Sequence, residues 1–149
     1  MSHEPRRLIA GLDTQGKSCA VRDEPIPLSD TGMGMQIATL FTGPAARIDN
    51  AAPPGESFPA FDFERQLCGE TYSMMIAVNP PGLGKDDPGM HRTDTCDHFY
   101  VISGEVVLVL EDGDHVMRAG DVGVIRGVMH GWRNDTGNEA RLVTFVLPA

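Results

Sequence analysis

From Asp97 onward, turn residues divide the chain into short apolar runs, and that spacing leaves few folds open. "DHFYVIS" stops at Gly104, "EVVLVLE" at Asp112–Gly113, and "DHVMR" at the Ala119–Gly120–Asp121 turn. "VGVIRG", "MHGWRND" and "ARLVTFVLP" follow, the last two separated by "TGNE". The runs are rich in β-branched residues, and Asp-Gly between two of them is a strong hairpin signal. Apolar residues do not recur at helical spacing anywhere in the chain. Short strands at regular spacing with tight turns predict an all-β sandwich or small barrel.

The first half is patterned more loosely. "RRLIAGLD" and "SCAVRDE" flank "TQGK" and read as a hairpin, and "MQIATLFT" and "ETYSMMIAVNP" read as further strands. From Gly43 to about Ala60 the run is rich in Pro, Ala and Gly and reads as a long loop, as does "PGLGKDDPG". In the pair Met74–Met75, alternation sends one residue to the core and the other to the outer face. With 149 residues and 41% hydrophobic content, a single domain spanning 1–149 can bury its own core. Within it the N-terminal strands occupy about 7–42 and the chemistry-bearing segment 91–134.

A formal net charge of −9 argues against nucleic acid and against anionic membrane surfaces as partners. The three cysteines, Cys19, Cys68 and Cys96, form no CxxC pair, so free thiols in a reducing compartment are expected. The polar opening "MSHEPRRLIAGLD" carries no apolar leader run, and no stretch is long enough to span a bilayer. The expectation is a cytoplasmic protein.

Of the five histidines, His3 lies near the terminus and His115 follows the Asp-Gly turn. His91 and His130 each stand where a Gly-rich turn meets a strand, a place from which a side chain can point into a barrel mouth. Asp97 opens the strand after His91. Two imidazoles and a carboxylate suit a divalent transition metal. The same residues also fit the role of ordinary, partly buried polar groups.

The stretch from His91 to Asn134 resembles the cupin superfamily. In the first cupin motif His91 takes the leading His of His-x-His, Asp97 falls at the Glu position, and Gly104 closes. In the second, Gly120 opens, and Gly127, His130 and Asn134 follow in order. The departures are Thr93 for the second histidine, Asp97 for Glu, Arg126 for Pro with one residue fewer before Gly127, and Lys85 beside Gly84 at the leading Gly. The resemblance implies a double-stranded β-helix (jelly-roll barrel) of the small single-domain kind, acting as a homodimer. It also implies a metal held by His91, Asp97 and His130, with Thr93 at the fourth position. Iron, manganese, zinc and nickel fit that set equally, and an empty site is the other option.

Around this set, Asp94 reads as a solvated loop carboxylate and His98 as external by alternation. Arg126 is a candidate for gripping a substrate carboxylate, and Trp132 for a pocket wall. The N-terminal strands are expected to cover an open edge of the barrel or to pair with a second subunit. Two functions remain. The first is a metal-dependent enzyme on a small oxygenated organic molecule: a decarboxylase, lyase, isomerase or dioxygenase. The second is a non-catalytic barrel that binds or senses a small molecule. The retained His-Asp-His set favours the enzyme, and the lost histidine favours the binding barrel.

Overall fold

A computed structural model describes residues 6–44 and 60–149. Most of the run read as a long loop (45–59), and His3, lie outside the described residues.

The first strands are β1 (Arg6–Leu12) and β2 (Ser18–Pro25), then the two-residue β3 (Ser29–Asp30) and β4 (Gln36–Pro44). After α1 (Phe63–Leu67) come β5 (Thr71–Asn79), β6 (Thr95–Ser103), β7 (Glu105–Leu110) and β8 (Gly113–Arg118). The last three are β9 (Val122–Arg126), β10 (His130–Arg133) and β11 (Ala140–Pro148). One sheet has six strands in the order β3-β4-β5-β11-β6-β9, and a second has three in the order β10-β7-β8. The two close on each other as the expected cupin jelly roll.

Alternation along the strands builds the core. Phe99 and Val101 on β6, Leu142 on β11 and Ile125 on β9 meet Val106 and Leu108 of the facing sheet. This packed half is continuous through Trp132, whose ring stands edge-on to Phe99 at 5.1 Å between centroids and 87° between planes. Such a T-shaped pair is a favoured aromatic geometry. Gly123 faces that ring. A Cβ there would lie 2.2 Å from it, so the Phe99 position requires glycine. A second cluster, Ile37, Met75 and Val146, is bordered by Met35, Phe61, Leu67 and Ala77. Met75 is thus buried inside and Met74 faces the outer side, as alternation predicts.

Helix α1 escapes sequence reading because five residues make too short a run to show a 3.6-residue period. Local hydrogen bonds specify it instead. Asp62 accepts from the Arg65 N–H at its N-terminus, and the Gln66 side chain accepts from the Asp62 N–H. Gln66 then donates from Nε2 to the hydroxyls of Thr39 and Ser73, tying the helix to β4 and β5.

The N-terminal strands divide in two, and β3 and β4 extend the large sheet beyond β5. Among the described residues β1 and β2 pair only with each other, so they extend no sheet edge. The hairpin stands against the outer face of the large sheet. There Arg7 and Ile9 bound a groove with Phe41, Met74, Ile76 and Val143. The Arg7 guanidinium anchors it, donating to the Leu40 carbonyl at 2.7 Å and pairing with Glu24.

Candidate functional site

The loop Pro80–Met90 reads as irregular in sequence, yet it is laced along β10 by the main chain. Asn134 N–H donates to Leu83 C=O at 2.9 Å, and Trp132 N–H to Pro88 C=O at 3.0 Å. His91 and His130 exchange both backbone hydrogen bonds, each at 2.9 Å, as an antiparallel bridge. Residues directly opposite in such a bridge project their side chains on the same face. The two imidazoles therefore lie together, with ring centroids 4.3 Å apart.

Each ring is held at its Nδ1. His91 Nδ1 lies 2.8 Å from the Gly89 carbonyl and His130 Nδ1 lies 2.9 Å from the Val128 carbonyl. A carbonyl can only accept, so these contacts assign the proton to Nδ1 and the lone pair to Nε2 in each neutral ring. Burial pushes the His130 pKa below its ordinary value, and the neighbouring His91 adds to that. The Val128 hydrogen bond and Asp97 partly oppose it. His130 is accordingly an uncharged imidazole suited to ligation or to accepting a proton.

Asp97 reaches the same cavity from β6. Burial raises its pKa, while the Thr95 hydroxyl, His130, His91 and His98 pull it down. Thr95 is a functional residue that sequence reading missed. Its hydroxyl lies 2.7 Å from Asp97 Oδ1 and 2.9 Å from Thr93 Oγ1, and all three residues are buried. A hydroxyl carries one hydrogen. With Asp97 ionised, Thr95 donates to the carboxylate and Thr93 donates to Thr95. The signal was present in the sequence, since 93, 95 and 97 share strand parity.

The cavity has a volume of about 310 Å³, and His91, His130, Asp97 and Trp132 stand on its wall. Its remaining lining is largely apolar, including Met33, Met35, Met75, Phe61 and Leu67. A smaller pocket of about 70 Å³ shares Asp97, His130 and Trp132 and runs toward Phe99 and Asn79. Trp132 lines both pockets and also packs against the core cluster.

One candidate is corrected. Arg126 is exposed at the end of β9, because the preceding Ile125 takes the inward position; it lines a separate groove with Arg92 and Asp94. Thr93 is buried on the same side of the chain as Thr95 and Asp97, and its hydroxyl is engaged by Thr95. His98 and Asp94 are exposed, as expected, and His115 pairs with Asp112 on the surface. Asn134, fully buried, has a structural role. It donates to the carbonyls of Asn79 and Asn138 and accepts from Thr136, joining the end of β10 to β5.

Two imidazoles with Nε2 lone pairs and one carboxylate on a common cavity match the donor chemistry of a divalent transition metal. Among the described residues, no three His, Cys, Asp or Glu side chains are already arranged to hold such an ion. Asp97 is the member whose Oδ1 is engaged elsewhere, on Thr95. The three cysteines are free, and no helix among the described residues is long and apolar enough to cross a membrane.

Comparison with known proteins agrees with this fold. The model of the family described as "Cupin domain" matches residues 77–146. Phomopsin biosynthesis cluster protein C' of Diaporthe leptostromiformis is 29% identical over 131 residues, covering 87% of this chain and 58% of that protein. The chain therefore spans less than two thirds of that relative's length. The cupin-domain-containing oxidoreductase virC of Hypocrea virens is 48% identical over 50 residues, 33% of this chain and 26% of that one. Among solved structures, the cupin domain of Cnp3 from Schizosaccharomyces pombe superposes with a TM-score of 0.61 at 11% identity, covering 99% of this chain and 90% of that one. The polyketide cyclase RemF of Streptomyces resistomycificus gives 0.54 at 15%, covering 81% and 72%. At such identities the structural likeness speaks for the fold alone. Residues 77–146 thus carry the match to a cupin domain, and the jelly roll around them is the cupin fold.

Proposed function

We propose that the protein is a metal-dependent enzyme acting on a small oxygenated organic molecule. His91 and His130 would hold a divalent iron, manganese, zinc or nickel ion through Nε2, with Asp97 as the third ligand. A bound ion of this kind supplies Lewis acidity toward a carbonyl or enolate oxygen, and iron adds oxygen chemistry. The chain's own residues do the rest. The Gly89 and Val128 carbonyls orient the rings, and Thr95 orients the carboxylate. Trp132 and Met75 exclude water from the cavity that the substrate enters. Supporting the reading are relatives named as cupin-domain-containing oxidoreductases and biosynthesis cluster proteins. Decarboxylase, lyase, isomerase and dioxygenase remain open as reaction classes.

The observation that carries the proposal is the His91–His130 bridge, which sets two imidazoles side by side on a cavity wall. Elemental analysis of protein purified without chelators or added metal tests it. Wild type is expected to carry near-stoichiometric transition metal, and His91→Ala and His130→Ala to lose most of it while staying folded. Full metal in both variants would overturn the assignment.

A second reading has its own support. Thr93 stands where a further histidine would ligate, and Asp97 is engaged by Thr95. A barrel that binds or senses a small molecule without metal fits those two facts. Protein that stays empty after incubation with each of the four metals would favour it. We further propose a homodimer in a reducing compartment such as the cytoplasm, in keeping with three free thiols.

A further inference from the structure

We infer that the His91–His130 cavity selects a neutral, largely apolar molecule with an oxygen function at one end, and rejects the matching carboxylate. This rests on the second reading above, the metal-free binding barrel, and it deepens that reading by naming a ligand class.

The wall carries the argument. Its apolar lining includes Met33, Met35, Met75, Phe61, Leu67 and Trp132. Burying apolar ligand surface against these groups is favourable, and methionines adapt to irregular shapes. The polar groups gather elsewhere on the wall: His91, His130, Asp97 and the Thr144 hydroxyl. Among the described residues the lining contains no lysine or arginine. Its charged groups are both acids, Asp97 within and Asp87, which is exposed. A ligand carboxylate would thus lose its hydration, meet no guanidinium or ammonium, and face like charge. An alcohol, phenol or ketone oxygen avoids that cost and still hydrogen-bonds to an imidazole or to Thr144. Arg126, the one cation that sequence reading offered as an anion grip, faces the other groove. A volume of about 310 Å³ is some ten times the share of one water, so the ligand is of modest size, on the order of ten to fifteen non-hydrogen atoms.

A matched pair of probes tests this: 1-octanol and octanoate, equal in chain length and differing in charge at neutral pH. Neither absorbs where tryptophan does. Trp132 is the chain's one tryptophan and stands on the cavity wall, so its emission reports binding directly. The protein is titrated after its metal has been stripped with chelator and the chelator removed. Octanol is expected to shift the emission saturably, and octanoate to bind at least tenfold more weakly. Met33→Lys places a cation on the wall at a side chain already 48% exposed, where folding tolerates it. In that variant the preference for octanol is expected to shrink severalfold. Octanoate binding as well as or better than octanol to the wild type overturns the inference, and so does emission indifferent to both probes. Metal content is read separately. Protein that carries metal as purified, yet prefers octanol once the metal is stripped, removes the metal-free reading and leaves this inference about the wall standing; protein that is metal-free as purified and prefers octanoate does the reverse.

Discussion

Thr95 shows how much one hydroxyl organises. It holds Asp97 on one side and satisfies Thr93 on the other, with all three residues buried. Thr95→Val keeps the shape and deletes both contacts, leaving a buried carboxylate and a buried hydroxyl without this partner. The expected loss is about 1–3 kcal/mol of unfolding free energy in urea titration. The pH dependence of the chelator-treated protein is a second outcome at this scale. Burial lowers the folded-state pKa of His130, so the unfolded chain binds more protons there. Stability should then rise as pH increases from that lowered value through 6.5, and fall on acidification. Asp97 has the opposite sign. Its raised pKa makes the folded state the better proton binder, so its contribution falls as pH climbs from 3.8 through the raised value. Melting temperatures between pH 7.5 and 5.5 should therefore drop for wild type and flatten in His130→Gln. An unchanged slope in the variant would assign the dependence elsewhere.

At the scale of elements, the loop Pro80–Met90 positions the site although it contains no regular structure. Gly84 sits at φ +68°, and a Cβ there would stand 2.2 Å from the Trp132 carbonyl oxygen, a backbone atom that cannot swing aside. Gly84→Ala is expected to cost at least ~2 kcal/mol and to loosen the cavity mouth, read as a lower melting temperature and weaker octanol binding together. Elements also explain what the sequence disclosed. Strands β6 to β11 were legible because period-2 alternation, Asp112–Gly113 and Gly104 all agree. The β1–β2 hairpin was legible from its turn. The place of that hairpin was not, since its docking rests on the Arg7 side chain and on apolar contacts across the sheet, which no local pattern encodes. Helix α1 was hidden by its length. In the site, motif spacing located His91, Asp97, His130 and Trp132. It misplaced Arg126, because inward or outward direction depends on the register of the strand, and Ile125 takes the inward place.

For the whole molecule, the outer side of the large sheet carries an apolar patch around His98, with Arg126 at its border. Tyr100 and Ile102 on β6, Val122 and Val124 on β9, and Phe145 and Leu147 on β11 are all at least 40% exposed. Register sets Val124 and Phe145 on either side of His98. A chain of net charge −9 that keeps acids off such a face offers it to a partner. The expected homodimer should use it. Light scattering behind size exclusion should give twice the chain mass for wild type and the chain mass for Val124→Asp with Phe145→Asp, with metal content unchanged. A double variant that remains dimeric would move the interface to another surface.

The bridge between His91 and His130 consists of peptide groups, which every residue type except proline supplies in full. The separation of the two rings is thus written in the main chain and is insensitive to what the neighbouring side chains become. Such a scaffold can exchange one ligand for a threonine, or an arginine for a proline, without shifting the two positions that remain. The chemistry of this barrel can drift while its register stays fixed, and a designer seeking a new ligand set could begin at position 93 with the frame already built.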